Sequence, residues 1–119
     1  MEKTQTNPLT QGHLMPVTLF YITIPHTETG QVMAKKLLEQ KLIACANIFP
    51  AHMALYEWDG KLEENSEHVM ILKTTPDKAS EVQRQVQELH PYDCPCILQL
   101  SPTHSNQAFF DWVKKQTRG

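Results

Sequence analysis

The stretch from Leu42 to Thr75 constrains this chain more than any other. It reads as one long β-hairpin with arms Leu42–Trp58 and Lys61–Thr74, folded back at Asp59-Gly60. Asp and Gly both tolerate the positive φ that a two-residue type I′ turn needs. The flanks are aromatic and aliphatic, with Tyr56 and Trp58 before the turn and Val69, Ile71 and Leu72 after it. Each arm approaches ~15 residues, against ~5–6 for an ordinary strand. A chain of 119 residues cannot cover such arms with its own helices. Uncovered strand edges seek partners, so an oligomer is expected.

The length suits one domain with a core that needs neither disulfide nor structural metal. Residues 1–14 are polar and aperiodic and are expected to form a loose tail, leaving 15–119 as the domain. Net charge is −2 with both signs interspersed, which gives no general field for nucleic acid or an anionic membrane. No apolar run is long enough to span a bilayer, and Met1–Leu14 lacks the apolar core of a secretory signal. The three cysteines, Cys45, Cys94 and Cys96, are then expected to be reduced thiols in the cytoplasm.

Val17–Ile24 is almost continuously β-branched or aromatic and reads as a central strand buried on both faces. Thr27 is placed to cap a helix running to about Gln40, with Val32, Met33, Leu37 and Leu38 as its apolar stripe. Pro50 breaks or bulges the first hairpin arm. Thr75-Pro76 starts a second helix with Ala79, Val82, Val86 and Leu89 inward, and His90-Pro91 ends it. Cys96–Leu100 is a last strand, and Ser105 caps a last helix with Phe109, Trp112 and Val113 on its apolar face. The order is β–α–β–β–α–β–α. It closes most simply as an α+β, ferredoxin-like βαββαβ sandwich with a long hairpin and an extra C-terminal helix. That fold hosts many functions and settles none.

Three segments, in order, resemble one family. They are Ala44-Cys45-Ala46-Asn47 with Pro50; Tyr56-x-Trp58-x-Gly60 followed by Glu67 and Leu72-Lys73-Thr74; and His90-Pro91-Tyr92-x-x-Pro95. Together they look like the CutA family of divalent-cation tolerance proteins. The resemblance implies a homotrimer built by packing long hairpins around a three-fold axis. It also implies binding of copper or another divalent cation, and a role in metal-ion tolerance. Ile22 and Gln85 stand where some relatives carry cysteine, so only Cys45 occupies a family cysteine position and Cys94 and Cys96 are additional.

The candidate metal ligands are Cys45, His90, Cys94 and Cys96. Cys45, in an apolar strand, is equally a small hydrophobe. Cys94 and Cys96, two apart on a strand, would turn both sulfurs to one face, and two thiolates suit Cu(I). His90 ends a helix, where it serves as a cap or as a ligand in a cleft between subunits. That cleft is expected to hold Tyr56, Trp58, Glu67, Lys73, His90 and Tyr92. Glu67 and Lys73 share a strand face but lie ~20 Å apart at ~3.3 Å per residue. Regular register about the turn sets Glu67 opposite His52 and Lys73 opposite Ala46, unless Pro50 shifts it. Tyr56 and Trp58, near the tip, pack most readily on another subunit. His13-x-Met15 and His68-x-Met70 resemble soft-metal pairs but are assigned to chance.

Two readings compete. One is a trimeric copper-binding or divalent-metal-binding protein. The other is a trimeric signalling module that takes a small anion in inter-subunit clefts through Lys73, His90 and backbone N–H groups. An acyl-phosphate hydrolase on this fold would want an arginine in the first strand–helix loop, which here is Thr23-Ile24-Pro25-His26-Thr27. No enzymatic activity is therefore expected. RNA binding through the sheet is excluded, because Ile97–Leu100 has no stacking aromatic and the chain is not basic.

Overall fold

In the computed structural model the described residues are 17–118. The expected tail, Met15 as a structural start, and the His13-x-Met15 pair lie outside them. The elements run β1 (Thr18–Ile24), α1 (Thr27–Glu39), β2 (Cys45–Ile48), β3 (His52–Trp58), β4 (Lys61–Thr74), a 3-10 turn (Pro76–Lys78), α2 (Ala79–Leu89), β5 (Ile97–Leu100) and α3 (Gln107–Gln116). The sheet order is β2-β4-β1-β5, with β3 pairing β4 beyond β2. Every pair is antiparallel. This is the ferredoxin-like α+β sandwich, with α3 added.

The core lies between the sheet and helices α1 and α2. Phe20, Ile22 and Ile24 of β1 and Met70 and Leu72 of β4 meet Met33, Ala34 and Leu37 of α1 and Val82 and Val86 of α2. The helical stripes recur at three and four residues, as an inward face requires. On α1 that stripe is Gly30, Met33, Ala34 and Leu37. Val32 and Leu38, expected inside, sit off the stripe and are exposed. Gly30 lets α1 approach closely: a Cβ there would lie 2.5 Å from Ile24 Cδ1 and 3.1 Å from Ile48 Cδ1.

Strand β1 is central, but only one of its faces is fully buried. Its residues alternate between buried and half-buried. The second face, with Leu19, Tyr21 and Thr23, shares its side of the sheet with Leu100 and Leu98 of β5, and α3 packs at its Leu19 end. A second small cluster forms there from Val17, Ala44, Phe110 and Val113. Phe110 replaces Trp112 in the expected apolar face of α3, because Phe110 and Val113 share the inward side. Trp112 is exposed and stacks on Phe109.

Capping differs from expectation at two helices. His26 is the N-cap of α1 and Thr27 its first residue, while Asn106, not Ser105, caps α3. Thr75 does precede the 3-10 turn that opens α2, with Pro76 in its first position. None of these termini carries a side-chain capping bond. Helix α1 ends in a Schellman motif. Lys41 takes φ 59°, its N–H donates to Leu38 O at 3.0 Å, and Leu42 N–H donates to Leu37 O at 3.0 Å.

The hairpin turns at Asp59 (φ 51°) and Gly60 (φ 77°), the two positive angles of a type I′ turn. Its second arm is one unbroken strand of 14 residues. The first arm is interrupted at 49–51. Ile48 opposes Met70 and His52 opposes Glu67, so three residues face two across the break. Pro50 has no N–H for the ladder, and the extra residue is a bulge. The register before it shifts by one. Glu67 opposes His52 as expected, but Lys73 opposes Cys45 rather than Ala46.

Candidate functional site

Beyond the bulge, β3 and the Lys61–Glu67 half of β4 form a two-stranded ribbon. On one face of it stand Ala54, Tyr56 and Trp58, opposite Asn65, Glu63 and Lys61 respectively. The period of two carries Glu67 onto the same face. This face meets the bend at Pro91–Cys94 and the loop after β1. Together they enclose an open groove of about 1030 Å³.

The groove brings together Tyr56, Trp58, Glu67 and Tyr92 of the expected cleft, and adds Cys94 and Cys96. Glu63, Asn65, Asp93 and His26 also line it. Glu63 and Asn65 were legible in principle from the hairpin register, since they oppose Tyr56 and Ala54. Asp93 and His26 sit in irregular backbone and carry no periodic signal.

Tyr92 stands near Tyr56 and Glu67 in the groove wall. The phenol of Tyr92 is pushed above its ordinary range, first by burial, then by the charges of Glu67 and Tyr56. The Asn65 amide donates to the Tyr56 hydroxyl, which fixes that phenol on the ribbon face.

His90 adjoins the groove but does not open onto it. It is only 7% exposed. Its Nε2–H donates to Thr23 O at 2.8 Å, and its Nδ1 accepts from the Tyr92 N–H at 3.1 Å. Accepting at Nδ1 requires the neutral ring with the proton on Nε2, a tautomer assigned from these partners. Both nitrogens are thus occupied, and no lone pair is left for a metal. His90 is instead the pin between the Pro91–Cys94 bend and β1, as its place at the end of α2 allows.

Lys73 does not reach the groove. Its Nζ lies 5.5 Å from the centre of the Phe109 ring, under α3 at the other end of the sheet. Cys45 lies opposite Lys73 in that region. Burial pushes the Cys45 thiol up, and the nearby Lys73 charge pulls it partly back. Cys45 pairs through β4 with the Leu19 end of β1, whereas His90 holds Thr23. Four residues of strand, ~13 Å at ~3.3 Å each, separate those positions along the sheet. The four expected metal ligands therefore do not converge. Among the described residues no group of three or more His, Cys, Asp or Glu is arranged to hold a metal.

Cys94 and Cys96 remain together in the groove wall, but not as two residues of one strand. Cys94 lies in the bend and is exposed, Cys96 is half-buried, and β5 begins only at Ile97. Pro95 keeps the strand from extending back. The shared-face geometry expected from strand parity does not apply to Cys94.

Among the described residues the lining contains Glu63, Glu67 and Asp93 but no Lys or Arg. Those residues offer a small anion no Lys or Arg partner. The site is thus an acidic, aromatic groove beside two thiols, on a ferredoxin-like domain with a protruding ribbon.

Residues 18–116 match the family model described as CutA1 divalent ion tolerance protein. The chain is 39% identical over 100 residues to the divalent-cation tolerance protein CutA of Pyrococcus horikoshii, covering 84% of this chain and 97% of that one. It is 42% identical over 93 residues to the protein of the same name from Archaeoglobus fulgidus, covering 78% and 90%. The crystal structure of CutA1 from Ehrlichia chaffeensis superposes with a TM-score of 0.83 at 40% identity, covering 86% of this chain and 95% of that one. This chain belongs to the CutA1 divalent ion tolerance family.

Proposed function

We propose that the chain is one subunit of a homotrimer that binds copper or another divalent cation in the service of metal-ion tolerance, by binding rather than by catalysis. The observation that carries the assembly is the bare ribbon. Among the described residues, 52–58 and 61–67 pair only with each other, and Met53, Trp58 and Leu62 stand 68%, 57% and 73% exposed. A lone two-stranded ribbon is marginal in water. Leu98 and Leu100 on the edge strand β5 are also uncovered. Other copies of the same chain are the natural cover for both.

For the metal, the donor set of this chain favours Cys94 and Cys96. They share one groove wall, the Cys94 thiol is open to solvent, and thiolates select soft ions such as Cu(I). Cys45 is the weaker candidate because burial favours its protonated form. His90 is not needed. The cytoplasm is the compartment that keeps such thiols reduced. No helix among the described residues is long and apolar enough to cross a membrane. The signalling alternative, with a small anionic ligand, is disfavoured by the acidic lining and by the distance of Lys73 from the groove.

The test is copper stoichiometry under reducing conditions for the wild type, Cys45→Ser and the Cys94→Ser/Cys96→Ser double variant. Loss in the double variant alone is expected. Uptake should also fall as pH falls, because thiols must lose protons to bind. Unchanged binding in both variants would overturn the thiol site.

A further inference from the structure

The ring of His90 has one partner of each kind, and neither can change its role. The partner of Nε2 is a backbone carbonyl, Thr23 O at 2.8 Å, which only accepts. The partner of Nδ1 is a backbone N–H, that of Tyr92 at 3.1 Å, which only donates. Only the neutral ring with its proton on Nε2 satisfies both. We propose that His90 is a proton-operated latch on the Pro91–Cys94 bend. A second proton, taken up at Nδ1, sets N–H against N–H and frees the bend from the ring, which stays bonded to β1 through Nε2.

The bend is the part that yields. Among the described residues the Tyr92 N–H bond is the only hydrogen bond that residues 91–94 make. The ring is held twice over, by Thr23 O and by its own backbone N–H, which donates to Val86 O at 2.9 Å at the end of α2. His90 is buried, so a protonated Nδ1 finds no ready water to accept from it. No described carboxylate takes that place either. The titratable groups near the ring are Tyr92, with its ring centre 4.9 Å away, then Asp93, Cys94 and Cys96, Glu67 on the ribbon and His26 in the loop after β1. None of them has a side-chain hydrogen bond to the imidazole. Glu88, two residues earlier on α2, is engaged by Arg84. The dipole of α2 favours a cation at its C-terminus, but it supplies no acceptor at Nδ1. Imidazole is the side chain whose ordinary titration falls between pH ~5 and ~8, so mild acid is the signal such a latch reads. The device is internal to one chain. It depends neither on an open groove nor on metal at the thiols.

The full chain in its native assembly would be followed by NMR from pH ~8 down to ~5, with the His90 ring nitrogens and the Tyr92 amide read together. At the alkaline end the ring is expected as the Nε2–H tautomer. As that ring takes up its second proton, exchange of the Tyr92 amide with solvent, corrected for its chemical rate, should rise about tenfold, the scale of one lost hydrogen bond. His90→Gln should remove the step while the other histidines still titrate. Where His90→Gln does not fold, the wild type alone decides, because ring and amide must change at the same pH. An Nδ1–H tautomer at the alkaline end would overturn the proposal. So would a ring that gains its proton while the Tyr92 amide stays protected, or one that stays neutral until the whole fold is lost. An acid opening that persists in folded His90→Gln would assign the switch to another group and overturn it as well.

Discussion

Strand β4 passes through two environments, and the contrast between its halves organises the molecule. From His68 to Thr74 it lies mainly between β1 and β2 under a helical layer, and Met70 and Leu72 are fully buried. From Lys61 to Glu67 it has β3 on one edge and, among the described residues, no strand on the other, and Leu62 is among the most exposed apolar side chains. The strand is continuous and its backbone conformation regular throughout. The difference lies in the neighbours. A strand with two paired edges and a helix above it is covered by its own chain. A ribbon with neither needs cover from another.

The largest effect should fall at the helix-backed end. Phe20→Ala should cost ~3–5 kcal/mol in denaturant unfolding, the scale for truncating a core aromatic. Leu62→Ala in the ribbon should cost less than ~0.5 kcal/mol in a dissociated chain. A larger loss at Leu62 only under assembling conditions would sharpen the contrast, and a Phe20 loss no larger than that at Leu62 would break it.

Gly30→Ala comes next. Its new methyl would collide with Ile24 and Ile48 side chains, and overpacking of this kind costs ~1–3 kcal/mol. The fall should appear as an earlier denaturation midpoint with an unchanged slope.

A smaller effect, of opposite sign, is expected at Lys41. It holds a left-handed conformation at the end of α1, which costs a non-glycine residue ~1–2 kcal/mol. Lys41→Gly should therefore stabilise the fold by up to ~1 kcal/mol in the same assay, after the added flexibility of the unfolded chain is counted.

The smallest effect concerns Cys45. Its thiol titrates above the ordinary value because burial disfavours the thiolate. The folded state therefore keeps its proton to higher pH than the unfolded state does. The associated stability is fully present below the unfolded thiol pKa of ~8.5 and is lost as pH rises through the folded value. Cys45→Ala should flatten that decline. Alkylation of Cys45 should lag behind that of the exposed Cys94 at every pH below the transition.

Much of this was legible in the chain. Asp59-Gly60 located the turn, the period of two set the His52–Glu67 pair, and Pro50 marked the interruption. The size of the resulting shift was not legible, because a proline announces lost pairing without saying how many residues bulge. This is why Lys73 was expected opposite Ala46. The helix stripes were misread at Val32, Leu38 and Trp112, where apolar residues stand beside the buried stripe rather than on it. Half of the groove could be anticipated, since Tyr56, Trp58 and Glu67 share the ribbon face. His90 could not be resolved from sequence. Its role depends on Thr23 O, which lies 67 positions away in the chain. The acidic lining was hidden for a similar reason, because Asp93 comes from a bend without a repeating pattern.

If other copies of the same chain complete the ribbon, sedimentation equilibrium of the full chain at micromolar concentration should give a mass of three chains that falls to one on sufficient dilution. A monomer at micromolar concentration, with the 52–67 ribbon still protected from hydrogen exchange, would contradict it.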